Sequence, residues 1–180
     1  MDSTEGYDLN NKVLSRRYVK TLAFVIQTLP KGSSALDIGI ANPLSRLFEK
    51  EGYGIKNTQG EDLDEVPETL TQFKTDAAFA FEILEHLINP MGVLKNIQAN
   101  RLYASIPLSL WFAKAYRNKN NRWDQHFHEF EDWQFDWLLE KSGWKIVRAE
   151  KWTSPTGVLG VRPLLRHITP RYYIVEATRL

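Results

Sequence analysis

The sequence predicts an α/β protein with a doubly wound, mostly parallel sheet. Short apolar runs alternate with amphipathic helical segments, and Gly, Pro and Asp bound the runs. Residues 35–43 also read as a strand, a glycine corner and a helix start, which is the opening half of a βαβ unit. With 180 residues, the chain is expected to form a single domain, 1–180, around one core.

The first third of the chain predicts a helix, a strand and a second helix. Apolar residues at helical spacing indicate an amphipathic helix over about 9–29. Residues 35–39 form a buried strand that ends at a glycine. Asn42 is a good N-cap and Pro43 suits a first helical position, so a helix is expected over 43–51.

The space before the next clear strand is short. A second strand is expected to reach about Gln59, and an acidic turn follows at 60–65. The 12 residues between Asp64 and the buried strand at 77–81 leave little room. A parallel crossover with its helix needs at least about 10–12 residues by itself. We therefore expect the third-strand unit of the sheet to be shortened or absent.

The second half continues the alternation. A helix is predicted from Pro90 to Gln98, followed by a strand over 102–106. A further helix is predicted over 131–141, and its two tryptophans, Trp133 and Trp137, are interpreted as core because they stand at i, i+4.

Two long connections and two closing strands complete the prediction. The strands are expected over 144–152 and 172–178. The connections are 108–128, an aromatic segment that we interpret as a lid, and 153–170. Both are expected to cover a site.

Composition narrows the class of partner. The formal net charge of +1 gives no global electrostatic case for nucleic acid or an acidic membrane, so neither partner is expected. Arg117, Lys119 and Arg122 lie among aromatics in the lid, a mixture that can grip nucleic acid but is more typical of a solvated lid. The start of the chain lacks the features of a signal peptide, and we expect a cytoplasmic protein.

Three motifs occur in a recognisable order. They are Ala35-Leu36-Asp37-Ile38-Gly39, Phe81-Glu82-Ile83-Leu84-Glu85-His86-Leu87-Ile88-Asn89-Pro90 and Leu102-Tyr103-Ala104-Ser105-Ile106-Pro107. Together they resemble the class I S-adenosylmethionine-dependent methyltransferases, over about residues 15–178. The resemblance implies a Rossmann-like fold whose last strand is antiparallel, and S-adenosyl-L-methionine as cofactor. It also implies methyl transfer to an oxygen or nitrogen atom of a small-molecule acceptor.

The glycine corner departs from the pattern of that family, Asp/Glu-x-Gly-x-Gly-x-Gly. Asp37 and Gly39 match it, whereas Ala41 and Pro43 stand at the second and third glycines. A proline removes an N–H group that could have faced the cofactor. This departure supports a second hypothesis, a degenerate and catalytically inactive binding module with the same fold.

The resemblance also implies a set of cofactor-binding residues. Asp62 is the first choice for the carboxylate that accepts the ribose hydroxyls, with Glu61 and Asp64 as alternatives. Asp37 either lies near the cofactor's amino group or braces the corner. The full predicted set is Asp37, Gly39, Ile40, Ala41, Asp62, Leu63, Phe81 and Glu82.

Histidines are the candidates for a base that takes the acceptor's proton. The predicted set is His86, His126 and His128, with His126 preferred. Residues 126 and 128 should point in opposite directions on an extended segment, so one of them is expected to face the site. For each histidine, bracing of a loop is the competing interpretation.

A divalent metal is a further hypothesis. Glu82, Glu85 and His86 stand at i, i+3, i+4, which places them on one face of a helical turn, and His126 or His128 could join them from the lid. The pattern resembles that of small-RNA 3′-terminal 2′-O-methyltransferases and of the ubiquinone-biosynthesis O-methyltransferase. It suggests metal-assisted RNA 2′-O-methyl transfer as an alternative function; the competing interpretation is that Glu85 and His86 shape the pocket floor.

Overall fold

The computed structural model describes residues 12–121, 124–155 and 158–180. These residues form one six-stranded sheet in the order β2-β1-β3-β4-β6-β5. The strands are β1 (Ser34–Asp37), β2 (Gly54–Asn57), β3 (Ala77–Phe81), β4 (Arg101–Pro107), β5 (Trp144–Thr153) and β6 (Pro170–Arg179). Strands β2, β1, β3 and β4 are parallel, and β6 runs antiparallel to both β4 and β5. The predicted fold class is confirmed.

Helices cover both faces of the sheet. They are α1 (Lys12–Ile26), α2 (Pro43–Lys50), α3 (Pro90–Asn96), α4 (Asp132–Lys141) and α5 (Val161–Ile168). Side chains of α1 and α2 pack on one face, on Phe79 and Tyr103 of the central strands. Those of α3 and α4 pack on the other face, on Ala78 and Leu102. Among the described helices, none has the length and apolar character that crossing a bilayer requires.

The third-strand unit is absent from the described chain, as expected. A short 3-10 helix, Pro67–Gln72, replaces it between β2 and β3. As a consequence, β2 lies at an edge of the sheet and pairs with β1 alone among the described strands.

The start of α2 follows the predicted capping. Asn42 Oδ1 accepts hydrogen bonds from the N–H groups of Leu44 and Ser45, at 2.9 and 3.2 Å. Ser45 Oγ returns the contact by accepting from the Asn42 N–H at 3.2 Å. This reciprocal pair satisfies donors that the first helical turn leaves free and fixes the direction in which the chain leaves the corner.

Two helical predictions differ from the structure. The interpretation of Trp133 and Trp137 as core is wrong, because Trp137 is 65% exposed and α4 buries Phe135 and Leu139 instead. Helix α5 lies inside the connection predicted over 153–170. Its first turn contains Pro163, which is tolerated there because the early N–H groups of a helix have no partner in it.

Helix α1 is attached to the sheet by a buried carboxylate. Glu176 on β6 accepts hydrogen bonds from Thr28 Oγ1 at 2.7 Å and from Arg148 Nε at 3.1 Å. The same Arg148 donates to the carbonyl of Phe24, and Arg101 donates to that of Thr28. Two cations therefore satisfy the carbonyls at the carboxyl end of α1, where the helix dipole favours positive charge.

Candidate active site

The candidate site lies at the edge of the sheet where the parallel strands end. The chain goes from β1 outward to β2 and then returns to the other side of β1 for β3. Ligands of open α/β sheets bind beyond the carboxyl ends of the strands at such a point of reversal. Asp37, Asn57 and Phe81 end the three strands there, and the loops that follow them hold most of the predicted site residues.

The corner after β1 is fastened by its own side chains. Gly39 has a φ of +124°, which a side chain would strain, and its N–H donates to Thr58 Oγ1 at 2.9 Å. The buried carboxylate of Asp37 accepts hydrogen bonds from Ser45 Oγ at 2.6 Å and from Asn57 Nδ2 at 3.3 Å. Burial raises the pKa of Asp37 to about 6. These contacts give Asp37 a bracing role within the corner.

The residues after Gly39 remain accessible. Ile40 is 41% exposed, and Ala41 is exposed as well. A Cβ atom added to Gly60 would approach Ile40 Cγ2 to 3.3 Å, so the corner after β1 and the turn after β2 meet there. The structure therefore brings Gly39, Ile40 and Ala41 to the same open surface as the acidic turn.

The three acidic residues of that turn differ in their contacts. Asp64 accepts hydrogen bonds from the N–H groups of Ile88 and Asn89 at 2.8 and 2.7 Å, and so ties the turn to the loop after β3. Glu61 accepts from the Gln59 N–H at 2.7 Å. Asp62 is exposed and accepts from the Asp64 N–H, whereas its neighbour Leu63 is buried in the core. Asp62 is thus the carboxylate of the three that faces solvent most fully.

Glu82, directly after β3, is held on the α1 side of the strand end. Its φ of +53° is a conformation that residues other than glycine seldom adopt. Its carboxylate accepts from Arg17 Nη1 at 2.9 Å and from Ser105 Oγ at 3.0 Å. The Arg17 guanidinium also lies over the Tyr172 ring, 5.3 Å from its centroid. Phe81 is half-buried and stacks on Phe48, on the same side of the sheet.

Glu85, His86 and His126 form a cluster. One ligand atom from each lies within 4.8 Å of the other two. The Glu85 Oε2 and His126 Nδ1 atoms are buried and have no hydrogen-bond partner among the described residues. The nearest carboxylate oxygen to His126 Nδ1, that of Glu129, is 3.6 Å away and too distant for a hydrogen bond.

The surroundings of this cluster orient its rings. His86 Nδ1 lies 3.1 Å from the carbonyl oxygen of Gln125, to which it can donate, while Nε2 lies 3.8 Å from Glu85 Oε1. Burial raises the pKa of Glu85 well above its ordinary value, and the negative charge of Glu82 adds to this. Burial, with the neighbouring His86, lowers the pKa of His126.

A divalent cation would fit the donor set of this cluster. Carboxylate and imidazole ligands suit first-row divalent metals, and ligating histidines usually donate their second N–H to a carbonyl or carboxylate. Glu82 does not belong to the cluster, contrary to the metal hypothesis. The 3-10 turn begins at Leu84, so Glu82 precedes it, and the positive φ of Glu82 directs its carboxylate to Arg17.

The three predicted histidines occupy different places. The rings of His86 and His126 meet edge to face, with centroids 4.7 Å apart. His128 instead approaches the Ile88 carbonyl with Nε2 at 3.2 Å and stacks on Phe130. The structure therefore separates 126 from 128, as the extended spacing indicated.

Sequence reasoning missed several residues at this edge. Tyr116 lies with its ring 4.5 Å from that of His126 and donates to Asp124 Oδ2 at 2.5 Å. Arg17 and Ser105 hold Glu82, and Asn57 holds the corner. Asn57 carried a usable signal, because it ends the strand beside β1; Arg17 carried none, because its partner is 65 residues away. The lid residue Arg122 lies outside the described residues.

Two surface clefts lie at the opposite edge of the sheet. Their volumes are 370 and 510 Å³, and both are lined by Leu29 and Pro30. Arg101, which lines the larger of the two, is already paired with Glu176 at 3.3 Å. The position of the strand ends therefore identifies the site better than cleft size does.

Comparisons with known proteins bear on the fold. A scan against protein-family models finds no match, and a search of curated proteins by sequence finds none. A solved S-adenosylmethionine-dependent methyltransferase from Mesorhizobium loti is similar at a TM-score of 0.63 and 15% identity, over 96% of this chain and 100% of that one. One from Archaeoglobus fulgidus is similar at a TM-score of 0.63 and 13% identity, over 92% and 94%.

A third similar structure has a different activity. The [4+2]-cyclase SpnF has a TM-score of 0.54 and 14% identity, over 90% of this chain and 81% of that one.

The similarity to the two methyltransferase structures shows that the chain has the fold of the S-adenosylmethionine-dependent methyltransferases. Identities at this level show the fold alone, and the reaction has to be argued from the site.

Proposed function

We propose that this protein is an S-adenosylmethionine-dependent methyltransferase that acts on an oxygen or nitrogen atom of a small-molecule acceptor. The observation that carries the proposal is the conjunction of this fold with a group of candidate site residues at the ends of its parallel strands. The corner at Gly39, the exposed carboxylate of Asp62 and the histidine cluster lie along one edge of the sheet.

The chain's own residues fit the cofactor in the following way. The backbone from Gly39 to Ala41 offers an accessible, positive-φ corner, and Asp62 offers oxygen atoms to hydroxyl groups. Ile40 supplies apolar contact, and Phe81 with the backbone of Glu82 lines the inner wall; the predicted contact from Leu63 is dropped, because its side chain is buried in the core. S-adenosylmethionine, when bound, supplies an electrophilic sulfonium methyl group. Asp37 supports this surface through the corner and does not contact the ligand itself.

His126 is the proposed base. Burial and the charge of His86 lower its pKa, so its imidazole is neutral near pH 7 and can accept a proton. Its unpartnered Nδ1 is the atom that would take the proton from the acceptor's O–H or N–H group. His86, fixed through the Gln125 carbonyl, and Tyr116 hold the His126 ring in place. Much of the remaining work is alignment and exclusion of water.

Binding of S-adenosylhomocysteine tests the proposal. A ligand at about 100 times its dissociation constant stabilises the folded state by about 2.7 kcal/mol. For a chain of this size we expect the melting temperature to rise by about 5–10 °C. Asp62→Ala should weaken calorimetric affinity at least tenfold, whereas Glu65→Ala, an exposed carboxylate of the same loop, should not. Absence of heat and of a thermal shift at millimolar ligand would contradict the proposal and leave the inactive-module hypothesis.

That second hypothesis has its own observation. Ala41 and Pro43 replace glycines, and Ser45, Asn42 and Asn57 already engage the Asp37 carboxylate. A protein of this kind would bind S-adenosylmethionine and S-adenosylhomocysteine poorly or not at all. The calorimetric experiment therefore separates it from the enzyme in a single measurement.

Metal assistance is a third candidate, favoured by the two buried atoms of the cluster that have no hydrogen-bond partner among the described residues. Mn²⁺ should bind the wild-type protein with measurable heat, and Glu85→Gln should abolish that heat. Glu140→Gln, an exposed substitution on α4, serves as the control. Methyl transfer unchanged after strong chelation, together with no Mn²⁺ heat, would remove the metal. The RNA form of this candidate further requires RNA binding that weakens steeply with salt.

A further inference from the structure

Helix α5 presents its apolar side to solvent. Val161, Leu164 and Ile168 recur at i, i+3, i+7, which places them on one stripe of the helix. An amphipathic helix normally turns such a stripe towards the core, yet Leu164 is 66% exposed and Ile168 is 73% exposed. Leu159, in the loop before the helix, is 99% exposed. No residue of α5 is buried.

Along the chain, the charged residues on either side of this stripe are all of one sign. The sequence from Lys151 to Val175 contains no Asp or Glu. The helix itself carries Arg162 and Arg166, and His167 follows them. Arginines beside an outward apolar stripe are the arrangement of helices that lie in the headgroup region of a membrane.

The first part of the lid, residues 108–123, also contains no Asp or Glu, and it begins at the same edge of the sheet as α5. The N–H of Leu108, at the start of the lid, donates to the carbonyl of Arg171 at 2.8 Å, just after α5. Trp111 is 77% exposed, and Lys114 and Arg117 are exposed as well. Residues 108–123 and 151–175 hold eight of the 23 Lys and Arg residues of the chain, and none of its 22 Asp and Glu residues.

We infer that α5 and the loop before it, residues 158–168, are a docking surface for an anionic lipid bilayer. Aliphatic side chains at the tip of a loop and along a helix gain free energy by entering the acyl boundary, and nearby arginines gain by meeting anionic headgroups. Nucleic acid would use the arginines but would leave Leu159, Leu164 and Ile168 in water. Docking does not depend on the proposed methyl transfer.

Vesicle sedimentation with the full-length protein tests this inference. The protein should bind vesicles of phosphatidylcholine that contain phosphatidylglycerol, and should bind vesicles of phosphatidylcholine alone at least tenfold more weakly. Raising the ionic strength should weaken the binding, because the exposed charges are screened. Binding that is equal on both vesicle types, or absent from both, would overturn the inference.

Two double variants distinguish binding through the docking surface from nonspecific adsorption of exposed apolar side chains. Leu159→Ser/Leu164→Ser should lower the partition coefficient at least tenfold, since it removes two apolar side chains of the proposed docking surface, one in the loop and one on the helix. Val19→Ser/Val147→Ser removes two exposed apolar side chains elsewhere, on α1 and β5, and should change it less than twofold. Thermal melting checks that both variants fold. An equal decrease of the partition coefficient in both variants would overturn the inference.

Other occupants give different results. A concentration-dependent dimer, lost in Leu159→Ser/Leu164→Ser and formed without vesicle binding, would assign the surface to self-association. Tight binding of a short RNA, unaffected by the same variant and unaccompanied by vesicle binding, would assign the cations to nucleic acid. Either result would overturn the inference.

Discussion

Two roles are open to Asp37, and its contacts support the one that needs no ligand. The sequence allowed it to contact a ligand or to brace its own turn. Its carboxylate is buried, and hydrogen bonds from Ser45, Asn42 and Asn57 reach it. Burial disfavours the charged form more than these hydrogen bonds favour it, so the pKa of Asp37 rises to about 6.

This pKa gives a stability prediction with a definite sign. The folded-state pKa of Asp37 lies above the value of about 3.9 for an unfolded chain, so the folded protein holds the proton more tightly. The contribution of this proton to the unfolding free energy is greatest below about pH 4, and it is lost as the pH rises through about 6. Relative to Asp37→Asn, the wild type should lose about 2 kcal/mol of unfolding free energy between pH 4 and pH 7.

Urea unfolding at several pH values measures this difference. Asp62→Asn, the same change at an exposed site, is the control and should follow the wild type throughout. A constant gap between wild type and Asp37→Asn across that pH range would contradict a buried, proton-binding carboxyl at position 37.

The pairing of Arg17 with Glu82 marks where residue-level prediction ends. Glu82 was grouped with Glu85 and His86 by spacing alone, and spacing assumes one continuous helical turn. The positive φ of Glu82 breaks that turn, and a guanidinium from α1 takes its carboxylate. The local sequence pattern predicts neither this backbone conformation nor a partner that is 65 residues away.

At the scale of elements, local sequence patterns predicted helices and strands correctly where capping or burial allowed only one position for them. The start of α2 was predicted because Asn42 and Pro43 each favour a single position relative to a helix. Strand β3 was predicted because its five residues are apolar throughout. The prediction of which face of α4 is buried was wrong, because two pairs of apolar residues have the same i, i+4 spacing. These pairs are Trp133 with Trp137 and Phe135 with Leu139. Which pair is buried depends on how the helix meets the sheet.

That choice of face can be tested by truncation. Phe135→Ala should destabilise the protein by about 3–5 kcal/mol, because Phe135 is fully buried against Phe130 and Tyr173. Trp137→Ala removes a larger side chain and should cost less than about 1 kcal/mol, since that side chain is mostly in solvent. Chemical denaturation measures both. A larger loss for Trp137→Ala would mean that α4 packs with its other face.

The attachment of α1 gives a second prediction at this scale. Arg148 pairs with the buried Glu176 and donates to the Phe24 carbonyl, so Arg148→Gln leaves a buried carboxylate with less compensation. We expect a loss of about 2–4 kcal/mol in unfolding free energy. Lys145→Gln, an exposed cation on the same strand, should change it by less than about 0.5 kcal/mol. Equal effects would show that the Arg148–Glu176 contact does not hold α1 in place.

At the scale of the whole molecule, chain length between strands was the most informative quantity. The space from Asp64 to Ala77 was too short for a crossover helix and strand, and a single 3-10 helix fills it. Net charge was less informative, because a value near zero averages over an uneven distribution. The expectation of no membrane partner rested on that average, and the docking proposal rests on the eight cations of two acid-free segments.

The missing unit leaves β2 as an edge of the sheet, and an edge strand offers unpaired backbone groups to other chains. β2 is four residues long and carries the exposed Lys56, which another strand could pair beside only by desolvating its ammonium group. Lys56→Val should therefore speed concentration-dependent aggregation during mild heating, as followed by light scattering. Lys50→Val removes the same charge from α2, away from the edge, and should aggregate at the wild-type rate. Equal acceleration in both variants would attribute the effect to net charge instead of to the edge of β2.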